Sequence, residues 1–139
     1  MTTSALPSVN GAPLHGIRVL IADDAPDVRQ AVTDILESVG AVVTAVDSAE
    51  AALATLQAEH PDVLVSDLSM PGKGGYWLID QVRALPRERG GATPAAALTA
   101  ATGLEHRESV LRAGFQYYMT KPLGILDLVE VVATLAPKV

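Results

Sequence analysis

Ile17-Arg18-Val19-Leu20-Ile21-Ala22-Asp23-Asp24 runs through apolar residues almost without a break and then stops on two acids. A strand with one wet face would alternate apolar and polar residues. This one does not, which predicts a strand covered on both faces, as in a parallel sheet. After the acids, Val28, Ala31, Val32, Ile35 and Leu36 recur at helical spacing over residues 26–39, with Pro26 suited to the first turn and Gly40 to the stop. The unit of apolar strand, short loop and helix then recurs. Strands are expected at 41–46, 62–66, 94–98 and 115–119, and helices at 48–59 with Ser48 as N-cap, 76–85, 105–113 and 125–135. Five such βα units predict an α/β fold, a parallel sheet with helices on both faces. Residues 86–93 are polar and Gly-rich and read as a loop.

The chain of 139 residues has room for one such domain. Residues 1–16 mix Ser, Thr, Pro, Asn and Gly without periodicity and read as a flexible tail or linker, leaving residues 17–137 as the domain. Hydrophobic residues at 49% and charged residues at 19% argue for a folded chain. A net charge of -6, with no basic stripe, argues against direct nucleic-acid binding. There is no cysteine, hence neither a disulfide framework nor a thiol nucleophile. No apolar run approaches the roughly 20 residues that span a bilayer, and no secretory signal opens the chain. A soluble, cytoplasmic protein is expected.

In doubly wound sheets, ligands sit outside the carboxyl ends of the strands. The residues at those ends are Asp23, Asp24, Asp47, Asp67, Thr99 and Lys121. Asp47 is expected to be carried to one side by the second strand. The other three acids would converge, and two like charges about 4 Å apart repel by about 4 kcal/mol at an effective dielectric near 20. Lys121 supplies one positive charge. A hard divalent ion supplies the rest, and a few carboxylates with carbonyl and water ligands suit Mg2+ better than Ca2+. A carboxylate can act as a nucleophile toward phosphorus. In such a transfer Asp67 is the acceptor, Asp23 and Asp24 hold the metal, Lys121 pairs with one phosphoryl oxygen and Thr99 hydrogen-bonds another.

Four pieces carry a family resemblance: Val19-Leu20-Ile21-Ala22-Asp23-Asp24, Asp67-Leu68-Ser69-Met70-Pro71-Gly72-Lys73-Gly74-Gly75, Leu98-Thr99-Ala100 and Lys121-Pro122. In this order the sequence resembles the receiver domain of bacterial response regulators over residues 16–137. The resemblance implies a flavodoxin-like sheet in the order 2-1-3-4-5. It implies phosphorylation of Asp67 by a histidine kinase or histidine phosphotransfer protein, and Mg2+ on Asp23, Asp24, Asp67 and the Ser69 backbone carbonyl. It implies a switch in which Thr99 is drawn toward the phosphoryl group, Tyr118 moves inward, and the face of the fourth helix, fifth strand and fifth helix is remodelled for a downstream protein. It leaves a homodimer open, and matches Lys121-Pro122 to a bond that is commonly cis. Such a protein catalyses only its own phosphorylation and dephosphorylation. The stretch from Leu14 to Leu20, Arg83-Ala84-Leu85-Pro86 and Ala113-Gly114-Phe115-Gln116 resemble receivers attached to hybrid histidine kinases; a complete single-domain regulator is the other reading.

Ser69 and Ala101, each two residues beyond a site residue, offer no amide or carboxylate to orient a water, so an aspartyl-phosphate of ordinary lifetime is expected. Ala100 is small and leaves Asp67 accessible. His15, His60 and His106 show no metal-ligand spacing and are expected on the solvated surface. Trp77 falls off the stripe of Leu78, Ile79, Val82 and Leu85 and is expected half exposed, packing on the following loop. Two other classes fit less well. A haloacid-dehalogenase-type phosphohydrolase needs a general acid where Ser69 stands. A flavin-mononucleotide binder needs a Ser/Thr/Gly-rich phosphate loop after the first strand, which is lacking here.

Overall fold

The computed structural model describes residues 12–100, 104–121 and 124–137. Its elements alternate: β1 (Arg18–Ala22), α1 (Pro26–Ser38), β2 (Val42–Val46), α2 (Ala49–Glu59), β3 (Val63–Asp67), α3 (Gly75–Ala84), β4 (Ala95–Thr99), α4 (Leu104–Ala113), β5 (Tyr117–Thr120) and α5 (Ile125–Leu135). All neighbouring strands are parallel, in the order β2-β1-β3-β4-β5. The expected elements are all present, with ends displaced by a residue or two. A short 3-10 turn, Arg87–Arg89, interrupts the stretch expected to be plain loop.

The continuous apolar runs are explained by two cores, one on each face of the sheet. Because successive side chains of a strand point to opposite faces, Leu20, Ala22, Leu64, Ala95 and Ala97 enter one core with Leu56 of α2, Leu78, Ile79 and Val82 of α3, and Val110 of α4. Val19, Ile21, Val63, Val65, Ala96 and Leu98 enter the other with Val32 and Leu36 of α1 and Leu128 and Val132 of α5. Every residue of β3 and β4 is buried. β3 is the central strand and β4 lies inside the sheet beside it, so Asp67 and Thr99 at their ends are held by backbone that has little freedom to shift.

Helix ends follow local chemistry. The Ser48 hydroxyl accepts from the Ala51 amide at 3.1 Å, as expected of an N-cap. At the far end of α2, His60 takes up left-handed backbone at φ 50° and its carbonyl accepts from Arg18 Nη1 at 3.2 Å. His60 therefore stops a helix rather than merely decorating a loop.

Residues 12–16 differ from the expected tail. Leu14 is buried in the second core, its amide donates to the Val39 carbonyl at 2.9 Å, and the Gly16 amide donates to the Gly40 carbonyl at 3.0 Å. A β-carbon on Gly40 would stand 2.8 Å from His15 Cα, so this segment lies directly on the α1–β2 turn. One apolar residue anchors it, too little to give a periodic signal. The Lys121-Pro122 bond and Ala101 lie outside the described residues.

Candidate functional site

β1 ends at Ala22, and the chain turns at once so that Asp23 is fully buried while Asp24 keeps contact with solvent. The turn is tied down by the acid itself: the Ala25 amide donates to Asp23 Oδ1 at 2.9 Å, and Arg29 Nη1 donates to the Asp23 carbonyl at 2.9 Å. Arg29 escaped the sequence reading, since a helix arginine facing a loop carbonyl carries no spacing signal.

At the end of β3, Asp67 is 5% exposed. Its Oδ1 accepts from the Ser69 amide at 3.2 Å, and its Oδ2 lies 3.4 Å from Lys121 Nζ. Gly75 makes this turn possible. A β-carbon there would meet the Asp67 carbonyl oxygen at 2.5 Å, and one on Gly74 would meet the Leu68 carbonyl oxygen at 2.5 Å. The two glycines let α3 start directly against the strand end.

Lys121 follows β5, its amide bonded to the Thr99 carbonyl at 2.8 Å. Its ammonium lies 3.0 Å from Asp23 Oδ2, so one lysine bridges the two buried acids. Asp23 Oδ2 is nevertheless buried without a well-aligned hydrogen bond. Asp23, Asp24 and Asp67 each place a carboxylate oxygen within 4.8 Å of the others, a set able to hold a metal ion among the described residues. Asp47 is exposed beyond the edge strand β2 and is not in this set, as expected.

Asp67 and Lys121 are both shifted. Burial pushes the Asp67 carboxyl up, the Ser69 amide bond opposes this, the Asp23 charge adds to it, and Lys121 only partly offsets it. For Lys121, burial alone would lower the pKa, but bonding and charge from Asp23 and Asp67 together raise it. A pair balanced one to one would lower the acid while raising the base. Here the acid also rises, because burial, with the Asp23 charge added, outweighs what the Ser69 amide and Lys121 offset. An unaligned buried oxygen and three convergent carboxylates with one lysine between them fit a divalent cation.

Thr99 is 5% exposed at the end of β4, one residue beyond the Asp67–Leu98 register pair, and Tyr118 is half-buried on β5. His106, expected on the solvated surface, is instead half-buried: its Nε2 lies 3.2 Å from Thr99 Oγ1, and its ring lies 5.8 Å from that of Tyr118 at a 60° tilt. The expectation failed because α4 packs against β5 and α3, and spacing within one helix does not reveal what stands opposite. Trp77 is half-buried as expected, but against the first core, with Lys73 of the preceding loop 5.2 Å over its ring.

A family model described as the response regulator receiver domain matches residues 19–133. The chain is 45% identical over 114 residues to an uncharacterized 14.6 kDa protein in the sodA1 3' region of Leptolyngbya boryana, covering 82% of this chain and 86% of that one. It is 37% identical over 116 residues to the sensor histidine kinase GacS of Pseudomonas protegens, covering 83% of this chain but only 13% of the kinase. Among solved structures, the receiver domain of sensor histidine kinase PA1611 from Pseudomonas aeruginosa PAO1, which has a magnesium ion coordinated in its active site cleft, superposes with a TM-score of 0.78 at 28% identity. That match covers 86% of this chain and 97% of the other.

Proposed function

Because this chain belongs to the response regulator receiver domain family, we propose that it accepts a phosphoryl group on Asp67 from a phosphohistidine and passes the signal on through protein contacts. One observation carries the reading: Lys121 bridges Asp23 at 3.0 Å and Asp67 at 3.4 Å inside a carboxylate trio that still lacks positive charge. An Asp67 oxygen forms the new bond to phosphorus as the donor's P–N bond breaks, and that bond's electron pair stays on the imidazole. Lys121 then exchanges part of its pairing with Asp67 for a phosphoryl oxygen, and the Thr99 hydroxyl donates to another. The Ser69 amide keeps the carboxylate oriented throughout. Mg2+, held by Asp23, Asp24, Asp67 and the Ser69 carbonyl, would supply the remaining charge on the phosphoryl oxygens.

The donor is a histidine kinase or histidine phosphotransfer protein, in keeping with the similarity to the kinase GacS. The readout is the face of α4, β5 and α5, where Leu111, Tyr117, Ile125 and Leu126 stand exposed. Tyr118 couples that face to Thr99. Among the described residues no helix is long and apolar enough to cross a membrane, and we place the protein in the cytoplasm, beside kinase domains that carry phosphohistidine. The Ser69 side chain is exposed and carries no amide or carboxylate to direct a water, so the aspartyl-phosphate is not unusually short-lived.

Intact-mass measurement after incubation with phosphoramidate and Mg2+ tests the reading. The native chain should gain one phosphoryl group and Asp67→Asn none. A native chain that gains nothing, or a variant that gains equally, ends it.

A further inference from the structure

His106 comes from the first turns of α4, yet it touches both residues assigned to the switch, Thr99 through Nε2 and Tyr118 through its ring. It thus joins three elements at the point where a phosphoryl group would be sensed. We propose that His106 is a positioning residue for the switch: it holds the Thr99 hydroxyl toward α4 in the unphosphorylated protein, so that the hydroxyl must leave the imidazole to reach a phosphoryl oxygen.

The argument rests on the chemistry of a hydroxyl. Thr99 has one proton to donate. An ionised phosphoryl oxygen can only accept, so Thr99 must turn that proton toward Asp67 in the activated state. In the tautomer that carries its proton on Nδ1, His106 accepts that same proton at Nε2 in the resting protein. His106 is not the sole partner of Thr99, and it therefore sets part of the resting preference. The ring contact extends the effect: when the hydroxyl leaves, the imidazole is free to reorient, and the surface on which Tyr118 rests changes with it. Removing the imidazole should make activation easier.

This inference depends on Asp67 being the phosphoacceptor, and its test separates the two. The full chain is titrated with beryllofluoride, a phosphoryl mimic, in the presence of Mg2+, and the NMR signals of Thr99 and the Tyr118 ring are followed. His106→Ala should reach half-saturation at a concentration about twofold to tenfold lower than the native chain, the range expected for losing one hydrogen bond. His106→Gln, which keeps an acceptor at similar reach, should return toward the native value. In a Thr99→Ala background, followed by the Tyr118 ring alone, the His106→Ala effect should vanish, because His106 acts through that hydroxyl. An unchanged or weaker response in His106→Ala overturns the proposal. So does an equal tightening in the Thr99→Ala background, which would mean that α4 had merely loosened. A native chain that neither responds to beryllofluoride nor accepts phosphate on Asp67 removes the reading of Asp67 first, and the role of His106 with it.

Discussion

The two ends of the same sheet treat charge in opposite ways. At the end where β4 and β5 begin, Arg83 of α3 spreads its guanidinium over neutral oxygens. It donates to the carbonyls of Gly91 at 3.0 Å and Thr93 at 2.8 Å, to that of Gly114 at 3.0 and 2.8 Å, and to Gln116 Oε1 at 3.3 Å. Gln116 Oε1 also accepts from the Ala95 amide at 2.7 Å. Arg18 closes the start of β1 in the same manner, donating to the carbonyls of Glu59 and His60 while its amide donates to Asp62 Oδ2. At the other end three carboxylates share one lysine. A fully satisfied polar network fixes a structure, whereas a cluster left short of charge stores a demand for a ligand. The first end is built to stay; the second is built to receive.

Asp67→Asn should break the comparison most strongly. On the proposed role of Asp67, phosphoryl acceptance should be lost completely, yet the fold should gain. The Asp67 pKa is raised above its ordinary 3.8, first by burial, so the folded chain holds that proton more tightly than the unfolded chain does. Stability from this group is thus fully present below the unfolded value and lost as pH rises through the folded one. At pH 7 without divalent cations the ionised carboxylate weighs against folding, and the amide should raise Tm by roughly 2–5 °C. The gain should shrink as pH falls toward 4. A lower Tm at pH 7 would mean that Asp67 stabilises the fold.

Arg83→Met inverts that pattern. It strips donors from three backbone carbonyls, and about 2–4 kcal/mol of stability should go with them. Burial lowers the Arg83 pKa, but a guanidinium stays charged in proteins, so the loss should not depend on pH near neutrality. Measured well below its Tm, the variant should still accept a phosphoryl group to the native extent. Slowed phosphorylation in the folded variant would show that the two ends are coupled.

Much of this contrast was legible in the sequence, though not evenly. The strands were readable because both faces of the sheet are covered, and Asp23, Asp24, Asp67, Thr99 and Lys121 because a strand end fixes where each one points. Arg83 carries no role that its sequence neighbours reveal, since its partners lie 31 residues away at Gly114 and in the turns before β4. Carbonyl oxygens have no letter in a sequence. Leu14 and His106 were misplaced for a related reason: a single side chain meeting another element leaves no periodicity behind.

Millimolar Mg2+ should sharpen the comparison by meeting the demand at one end alone. A ligand present at several times its dissociation constant stabilises the native chain by about 1 kcal/mol. Asp24→Asn, which removes the most accessible acid of the trio, should lose most of that gain. Arg83→Met should retain it. Sodium chloride at matched ionic strength should not reproduce the effect, because screening acts mainly between exposed charges; if it does, the trio needs no specific cation.

Lys73 offers the smallest and most discriminating case. It belongs to the loop that starts at Asp67, and its ammonium sits 5.2 Å over the Trp77 ring at the entry of α3. If the charge deficit extended along that loop, Lys73 would help to neutralise it and Lys73→Gln would strengthen the response to Mg2+. The geometry assigns it elsewhere. An exposed cation over an aromatic face contributes about 0.5–1 kcal/mol, and Lys73 is exposed. The substitution should therefore lower stability by no more than that and shift Trp77 fluorescence slightly. The Mg2+-dependent change in Tm should stay as it was. A stronger response to Mg2+ would widen the charge-deficient end to include the whole loop, and the boundary between the two ends would have to be redrawn at α3.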